Sequence, residues 1–392
     1  MLLVYWLVLV VWQNISGATA RTGVDTLIKA VLIFAFVVFF VSRSNFGIKN
    51  IFPILLITIL VVLCFLIGGQ FTLSGVLAYF YPLFIIVCVF GFGNDFIITK
   101  KQLEFLLNGI IMIVLYMVVY ALIFCTEQFT GALSLSNAYG NELSSFLVSN
   151  HEYGLYLAIA TTASIICFEF KHELPIKKRW FYIAVIPIFL INLVLTFSRT
   201  SMLGILVILV LYCLFGKKSR LKTLIIIGFF VAAIAIVFVP IIREFVFKIV
   251  LKENNLSGRD ELAELAMEKF KEANWDQKLF GYGDANIRQI MGSELGHSST
   301  HNAYLQILLG YGLIPLIAMV VFLVCNFISC IKLCKYNQFV GIILSAITLF
   351  GAAIMITNTT ILFFSPIDSF FLTMFVVIVP KYVGNALLKG GF

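Results

Sequence analysis

The chain has 392 residues, of which 61% are hydrophobic and 12% are charged, and its formal net charge is +8. A soluble domain usually carries about 25% charged residues, so this composition excludes an ordinary soluble globule. The cations lie in short segments between apolar runs, which is the pattern that orients membrane helices, and no nucleic-acid partner is predicted. The eight cysteines lie in or beside apolar runs, so no disulfide framework or zinc site is predicted.

Apolar runs of about 15–22 residues recur along the chain without strict alternation, which favours helices over barrel strands. The sequence therefore predicts an all-α polytopic membrane protein, a single transmembrane domain over residues 1–392 with about twelve transmembrane helices. The first is predicted to be a retained helix and not a signal peptide, because it lacks a basic start and many spans follow. The predicted spans are 2–17, 26–42, 51–68, 73–93, 105–125, 152–169, 180–197, 201–215, 222–242, 303–330, 337–357 and 360–380.

Lys and Arg are distributed unevenly between alternate connections. The basic set holds Arg43, Lys49, Lys100, Lys101, Lys171, Lys177, Lys178, Arg179, Lys217, Lys218, Arg220, Lys222, Lys332, Lys335, Lys381 and Lys389, whereas the opposite short connections hold Arg21, Lys29 and Arg199. Because positive residues favour the cytoplasmic side, both termini are predicted to be cytoplasmic. Residues 243–302 then form one large extracytoplasmic loop, called the outer loop below.

The outer loop is predicted to be partly helical. The stretch RDELAELAMEKFKEA, residues 259–273, follows a polar N-terminal segment and reads as a helix. Leu262, Ala266 and Phe270 repeat at four-residue spacing, which predicts one apolar face. KLFGYGDANIRQI, residues 278–290, then predicts a glycine-containing turn and a second short element.

Two arginines on the predicted outer side are candidate anion ligands. Arg199 lies in LTFSRTSMLG between two apolar runs, on the side where cations are scarce. Arg259 opens the outer-loop helix, where unpaired N–H groups and the helix dipole favour phosphate. An arginine can add bidentate hydrogen bonds to such an anion. A snorkelling arginine at a helix end and an ordinary solvated loop arginine remain the alternative interpretations of these two residues.

His301 lies where the outer loop returns to the membrane, in GHSSTHNAYLQILLGYGL. An imidazole titrates near pH 6.5, so it is the usual side chain for taking a proton from a hydroxyl. The alternative interpretation is a polar anchor at the membrane surface. His297 lies four residues earlier, but the residues between the two histidines supply no glutamate, so no metal site is predicted.

Five segments, taken in order, resemble the O-antigen polymerase and ligase family of bacterial envelope enzymes. They are SNHEYGLYLA (149–158), LTFSRTSMLG (195–204), SGRDEL (257–262), LFGYG (279–283) and HNAYLQILLGYGL (301–313). The ligase pattern is a histidine, a small polar residue, nine residues, then Gly-x-x-Gly. Here His301, Asn302 and Gly312 fit, whereas Pro315 replaces the second glycine.

The resemblance implies an inverting, metal-independent and cofactor-independent glycosyltransferase with a GT-C-like fold in the bacterial cytoplasmic membrane. Its substrates would be glycans carried on undecaprenyl diphosphate, and its partners could include a chain-length regulator and a flippase. By the same resemblance Arg199 and Arg259 would hold the diphosphate, and His301 would be the general base. Lower-ranked substrate contacts are Arg288, His297, Asn302 and His151.

Polymerase and ligase differ in the acceptor. A polymerase transfers the growing chain to a lipid-linked repeat unit, whereas a ligase transfers finished polymer to lipid A-core or another acceptor. The incomplete ligase pattern favours the polymerase. A flippase for lipid-linked sugars is the alternative from another class, but paired repeats and interrupted helices, which are typical of transporters, are not evident. A structural or sensory membrane protein is a third reading.

Overall fold

The computed structural model describes residues 51–68, 76, 79–80, 82–83, 100–133, 142–147, 149–170, 176–216, 218–251, 259–283, 286–287, 289–291, 300–358, 360–362, 369 and 372–388. Within these residues the secondary structure is helical and contains no strand. The helices are α1 Ile51–Gly68, α2 Lys100–Phe124, α3 Thr126–Leu133, α4 Asn150–Phe170, α5 Ile176–Leu195, α6 Arg199–Phe215, α7 Arg220–Phe238, α8 Pro240–Leu251, α9 Arg259–Glu272, α10 Trp275–Phe280, α11 Ala303–Gly310, α12 Leu313–Lys332, α13 Gln338–Thr357 and α14 Val379–Leu388, the last preceded by a π-helical turn, Met374–Ile378.

Five helical segments of the described part are long and apolar enough to cross a membrane: Leu103–Phe124, Asn150–Phe170, Arg220–Phe238, Leu313–Lys335 and Gln338–Thr357. Three shorter apolar stretches accompany them, Leu55–Gly68, Arg179–Leu195 and Arg199–Phe215. The predicted all-α, multi-pass architecture is therefore confirmed for this part of the chain. The number of twelve spans and the GT-C-like arrangement remain predictions. The spans predicted at 2–17 and 26–42 lie outside the described residues, and 73–93 is described at a few positions.

Helix α4 forms the centre of the bundle. It packs against α2, α5 and α6, and its side chains from Tyr153 to Glu169 are all buried. Helix α13 packs against α6 and α12 and adds a second buried layer. Helix α7, in contrast, leaves most of its apolar side chains exposed, as expected of a helix surrounded by lipid.

Side-chain caps fix where several helices begin. Asn302 caps α11 by accepting from the backbone N–H groups of Tyr304 and Leu305, and Asn337 caps α13 by accepting from Val340 N. Such caps satisfy N–H groups that the first turn of a helix leaves unpaired.

The predicted span 303–330 is wrong as a single helix. It divides into α11 and α12 at Tyr311 and Gly312, and Gly312 has a φ of +92°, which a continuous right-handed helix cannot contain. With 20 residues, α12 is about 30 Å long and can span the hydrocarbon alone. His301 therefore precedes a separate short helix and does not lie at the end of the span. Of the span predicted at 360–380, residues 360–362 are not helical, whereas residues 369 and 372–380 are, and the helical segment continues to Leu388.

The outer-loop helix predicted at 259–273 is confirmed as α9. Leu262 and Ala266 are fully buried against Ile287, Met291 and Leu309 of α11, and Phe270 packs beside them. These three side chains thus form the predicted apolar face of α9, and that face packs against α11.

Candidate active site

Four chain segments meet at one end of the bundle, called the rim below. They are the start of α4 at residues 150–151, the turn before α6 at 196–199, the turn before α11 at 300–302, and the end of α13 at 357–358. Helices α4, α6 and α11 begin at this end of the bundle, and α5 and α13 end there. The rim contains four of the residues predicted to be functional, which are His151, Arg199, His301 and Asn302.

The turn before α6 is tied down from two sides. Asn150 Nδ2 donates to Thr196 O at 2.8 Å, and Ser198 N donates to Thr196 Oγ1 at 3.2 Å. Phe197 has a φ of +52°, a conformation that is uncommon outside glycine. Backbone strain of this kind is often found at functional sites.

Arg199 is the first residue of α6, and its side chain is exposed. Ser198 precedes it but gives no side-chain cap to the helix, because its hydroxyl donates to Ser201 Oγ at 3.1 Å. The first N–H groups of a helix carry a partial positive charge. The start of α6 therefore combines a guanidinium group with backbone donors that Ser198 does not cap, which suits an anion.

His151 lies beside this turn. It is half-buried, and its Nδ1 is 3.4 Å from Ser198 Oγ, so it contacts the residue that precedes Arg199. The sequence suggested His151 as a substrate contact, and the structure brings it to the same part of the rim as Arg199. Its role toward a substrate remains a prediction.

His301 is exposed and has a φ of +50°, so the turn before α11 is also strained. The neighbouring Thr300 is buried, and its hydroxyl donates to Asn302 O at 2.7 Å. The amide oxygen of buried Gln306 accepts from Thr300 N at 3.4 Å. Asn302, predicted to contact substrate, has a structural role as the cap of α11. Together these contacts hold His301 outward at the start of the helix.

The end of α13 connects the arginine turn with the histidine turn. Thr200 Oγ1 donates to Thr357 Oγ1 at 2.8 Å, and Ala303 N donates to Asn358 O at 2.9 Å. Thr357 and Asn358 escaped the sequence analysis. Their signal was a short polar run, TNTT at 357–360, directly after a 20-residue apolar helix.

The remaining predicted residues belong to the outer loop. Arg259 opens α9, and the structure describes its backbone alone, so convergence of its side chain with Arg199 remains a prediction. Arg288 and His297 lie outside the described residues. Among described residues, no group of three or more His, Cys, Asp or Glu side chains is placed to hold a metal ion.

Part of the chain matches a known protein family. The family described as O-antigen ligase matches residues 183–323, a range that runs from α5 into α12. Arg199, Arg259 and His301 lie inside this range, whereas His151 precedes it. No curated protein matches the chain.

Proposed function

We propose, on the match of residues 183–323 to the O-antigen ligase family, that this chain is a polysaccharide polymerase at the outer face of the bacterial cytoplasmic membrane. The family implies a membrane glycosyltransferase-like enzyme that acts on lipid-linked polysaccharide. In the proposed reaction, a glycan chain leaves its lipid diphosphate and joins a lipid-linked repeat unit. The product keeps the acceptor's lipid and is longer by the transferred chain.

The observation that supports this proposal is that the end of α13 bonds both to the helix start that carries Arg199 and to the helix that follows exposed His301. Arg199 begins α6, His301 precedes α11, and the end of α13 bonds to both helices within one or two residues of these side chains. A glycosyl transfer from a diphosphate needs those two groups, a fixed cation and a base.

The donor diphosphate would lie at the start of α6. As the bond between the anomeric carbon and the phosphate oxygen breaks, its electron pair moves to that oxygen and negative charge accumulates there. Arg199 and the N–H groups of the first turn stabilise this charge more strongly in the transition state than in the ground state, which is the condition for catalysis. Arg259, at the start of α9, would supply the second cation.

The acceptor hydroxyl would lie at His301. As the hydroxyl oxygen forms its bond to the anomeric carbon, the imidazole takes the hydroxyl proton and becomes cationic. Attack from the face opposite the diphosphate inverts the anomeric centre, so the base and the cations lie on opposite sides of the reacting sugar. Further proposed substrate contacts are Arg288, His297, Asn302 and His151. A chain-length regulator and a flippase remain proposed partners.

Purified protein in liposomes, given a lipid-linked oligosaccharide of defined length, tests the proposal. We expect a ladder of products that differ by whole repeat units. Transfer restricted to added lipid A-core would assign the protein as a ligase instead. Movement of the lipid-linked sugar across the bilayer without any new glycosidic bond would assign it as a flippase and overturn the enzymatic proposal.

A further inference from the structure

Two Gly-Tyr-Gly segments pair through their backbones, and we call this pairing the Gly-Tyr-Gly clasp. One is residues 281–283 of the outer loop, and the other is residues 310–312 at the break between α11 and α12, where the preceding Leu309 also takes part in the pairing. Tyr282 N donates to Leu309 O at 2.7 Å, and Gly283 N donates to Gly310 O at 3.0 Å. A helix end leaves its last carbonyl groups without helical partners, and the clasp supplies partners for two of them at the end of α11.

Glycines permit the backbones to approach this closely. Gly281 has a φ of +84° and Gly312 a φ of +92°, a region that favours glycine. A Cβ atom on Gly281 would overlap the carbonyl of Gly310, and one on Gly312 would overlap the carbonyl of Leu279. Any larger residue at either position must therefore push the outer loop and α11 apart.

The clasp is anchored on both sides. The Tyr282 hydroxyl donates to Lys269 O of α9 at 2.9 Å, and burial raises the pKa of Tyr282, so it stays a neutral donor. On the membrane side, the Tyr79 hydroxyl donates to Gly310 O at 3.4 Å, and the rings of Tyr79 and Tyr311 lie 5.0 Å apart. The outer-loop helix α9 and the bundle thus both contact the clasp at the same end of α11.

Helix α11 carries this constraint to the rim. Its eight residues span about 12 Å, with the clasp at one end and His301 just beyond the other. Between them, α13 holds α11 through Ala303 N to Asn358 O at 2.9 Å and through the Tyr304 hydroxyl to Ala352 O at 3.1 Å. Because α12 starts anew after the break, the direction of the span does not set the direction of α11.

We infer that the Gly-Tyr-Gly clasp is a positioning element for His301, with Gly281 and Gly312 as its positioning residues. The outer loop then sets the location of the base through the backbone. This inference rests on the proposed function for the role of His301, but its geometric content can be measured separately.

The first test measures position. In a His301→Cys variant, the alkylation rate of the introduced thiol by a membrane-impermeant maleimide is followed by mass spectrometry of its peptide. Adding Gly281→Ala should change this rate at least about threefold, since α11 must shift. Adding Gly228→Ala is the matched control, because a Cβ there meets no atom within 4 Å. Equal rates in all three proteins would overturn the inference.

The second test measures transfer in the otherwise unchanged chain. Gly281→Ala should lower the rate constant about 10–100-fold, since misplacement by about 1 Å can cost 10²-fold. Its donor KM should stay within about twofold. The rate constant is expressed per folded enzyme, so a general loss of folded protein would leave it unchanged. Altered alkylation with normal transfer would preserve the clasp and reject His301 as the base. Normal alkylation with lowered transfer would reject the clasp as its positioning element.

Tyr282→Phe provides a second variant if Gly281→Ala does not accumulate. It removes the hydrogen bond to Lys269 O and leaves the backbone contacts unstrained. We expect changes in the same direction, about two- to tenfold in the rate constant, as for the loss of one hydrogen bond. Unchanged alkylation and unchanged transfer in this variant would count against the inference.

Discussion

The hydroxyl of Thr200 donates to the hydroxyl of Thr357 at 2.8 Å, across 157 positions of the chain. This bond joins the start of α6, which carries Arg199, to the end of α13. The next residue of α13's terminal turn, Asn358, accepts from the backbone of α11. A single turn of chain thus connects the candidate cation with the candidate base.

Thr357→Val should therefore lower the transfer rate more than it lowers the stability of the fold. The substitution keeps the shape and leaves the partly buried Thr200 hydroxyl without this acceptor, at a cost of about 1–3 kcal/mol. We expect the transfer rate to fall about tenfold, measured on liposomes with equal amounts of folded protein. Thr223→Val is the control, since Thr223 is exposed and bonds within its own helix turn.

Thr200→Val combined with Thr357→Val separates geometry from an unsatisfied group. Replacing both partners by apolar groups of the same shape is often nearly neutral for stability. The double variant should regain thermal stability relative to Thr357→Val alone. If the double variant is less stable than the single variant, the bond between the two hydroxyls is not what Thr357→Val removes.

Arg199→Lys should lower the transfer rate about 10–100-fold. Lysine keeps the positive charge but offers a point charge in place of the planar guanidinium fork, so bidentate bonding to a phosphate is lost. Arg220→Lys is the matched control, because Arg220 is also exposed and also the first residue of an apolar helix, α7. Equal activity of the two variants would remove the diphosphate role from Arg199.

His301→Gln should lower the transfer rate by about 10²–10⁴-fold, because glutamine can form hydrogen bonds but cannot take the proton. The variant should still accumulate in the membrane, since the His301 side chain is exposed. His297→Gln should retain activity by comparison. Near-normal transfer by His301→Gln would require another base, with His297 and Asp260 the next residues to test.

The orientation of the bundle predicts opposite reporter signals on either side of α6. A fusion after Lys178 should report the cytoplasm, because Lys178 belongs to the connections in which Lys and Arg are concentrated. A fusion after Ser257, in the outer loop, should report the outer face. Matching signals from the two fusions would contradict the predicted topology and, with it, the outward-facing site.

The sequence predicted helix positions well wherever the determinant was local. The run 51–68 is helical over that range as α1, and the span predicted at 337–357 is α13, Gln338–Thr357. The face of Leu262, Ala266 and Phe270 was predicted from its spacing and is buried. Such features depend on the hydropathy of adjacent residues and on helical periodicity, which a sequence displays directly.

The sequence also determined which residue types could perform the chemistry. Arg199 and His301 stand out because polar groups are scarce beside apolar spans, and that contrast needs no structure. The order and spacing of the motifs led to the family that matches residues 183–323.

Only the tertiary structure decided which distant segments lie beside these two residues. The break at Tyr311 and Gly312 adjoins the backbone pairing with residues 281–283, whereas the run LLGYGLIP by itself also suits a continuous helix. The role of Thr357 depends on Thr200, which is distant in the chain. Both relationships come from long-range hydrogen bonds and close backbone contacts, which form when helices pack and which no local pattern of hydrophobicity encodes.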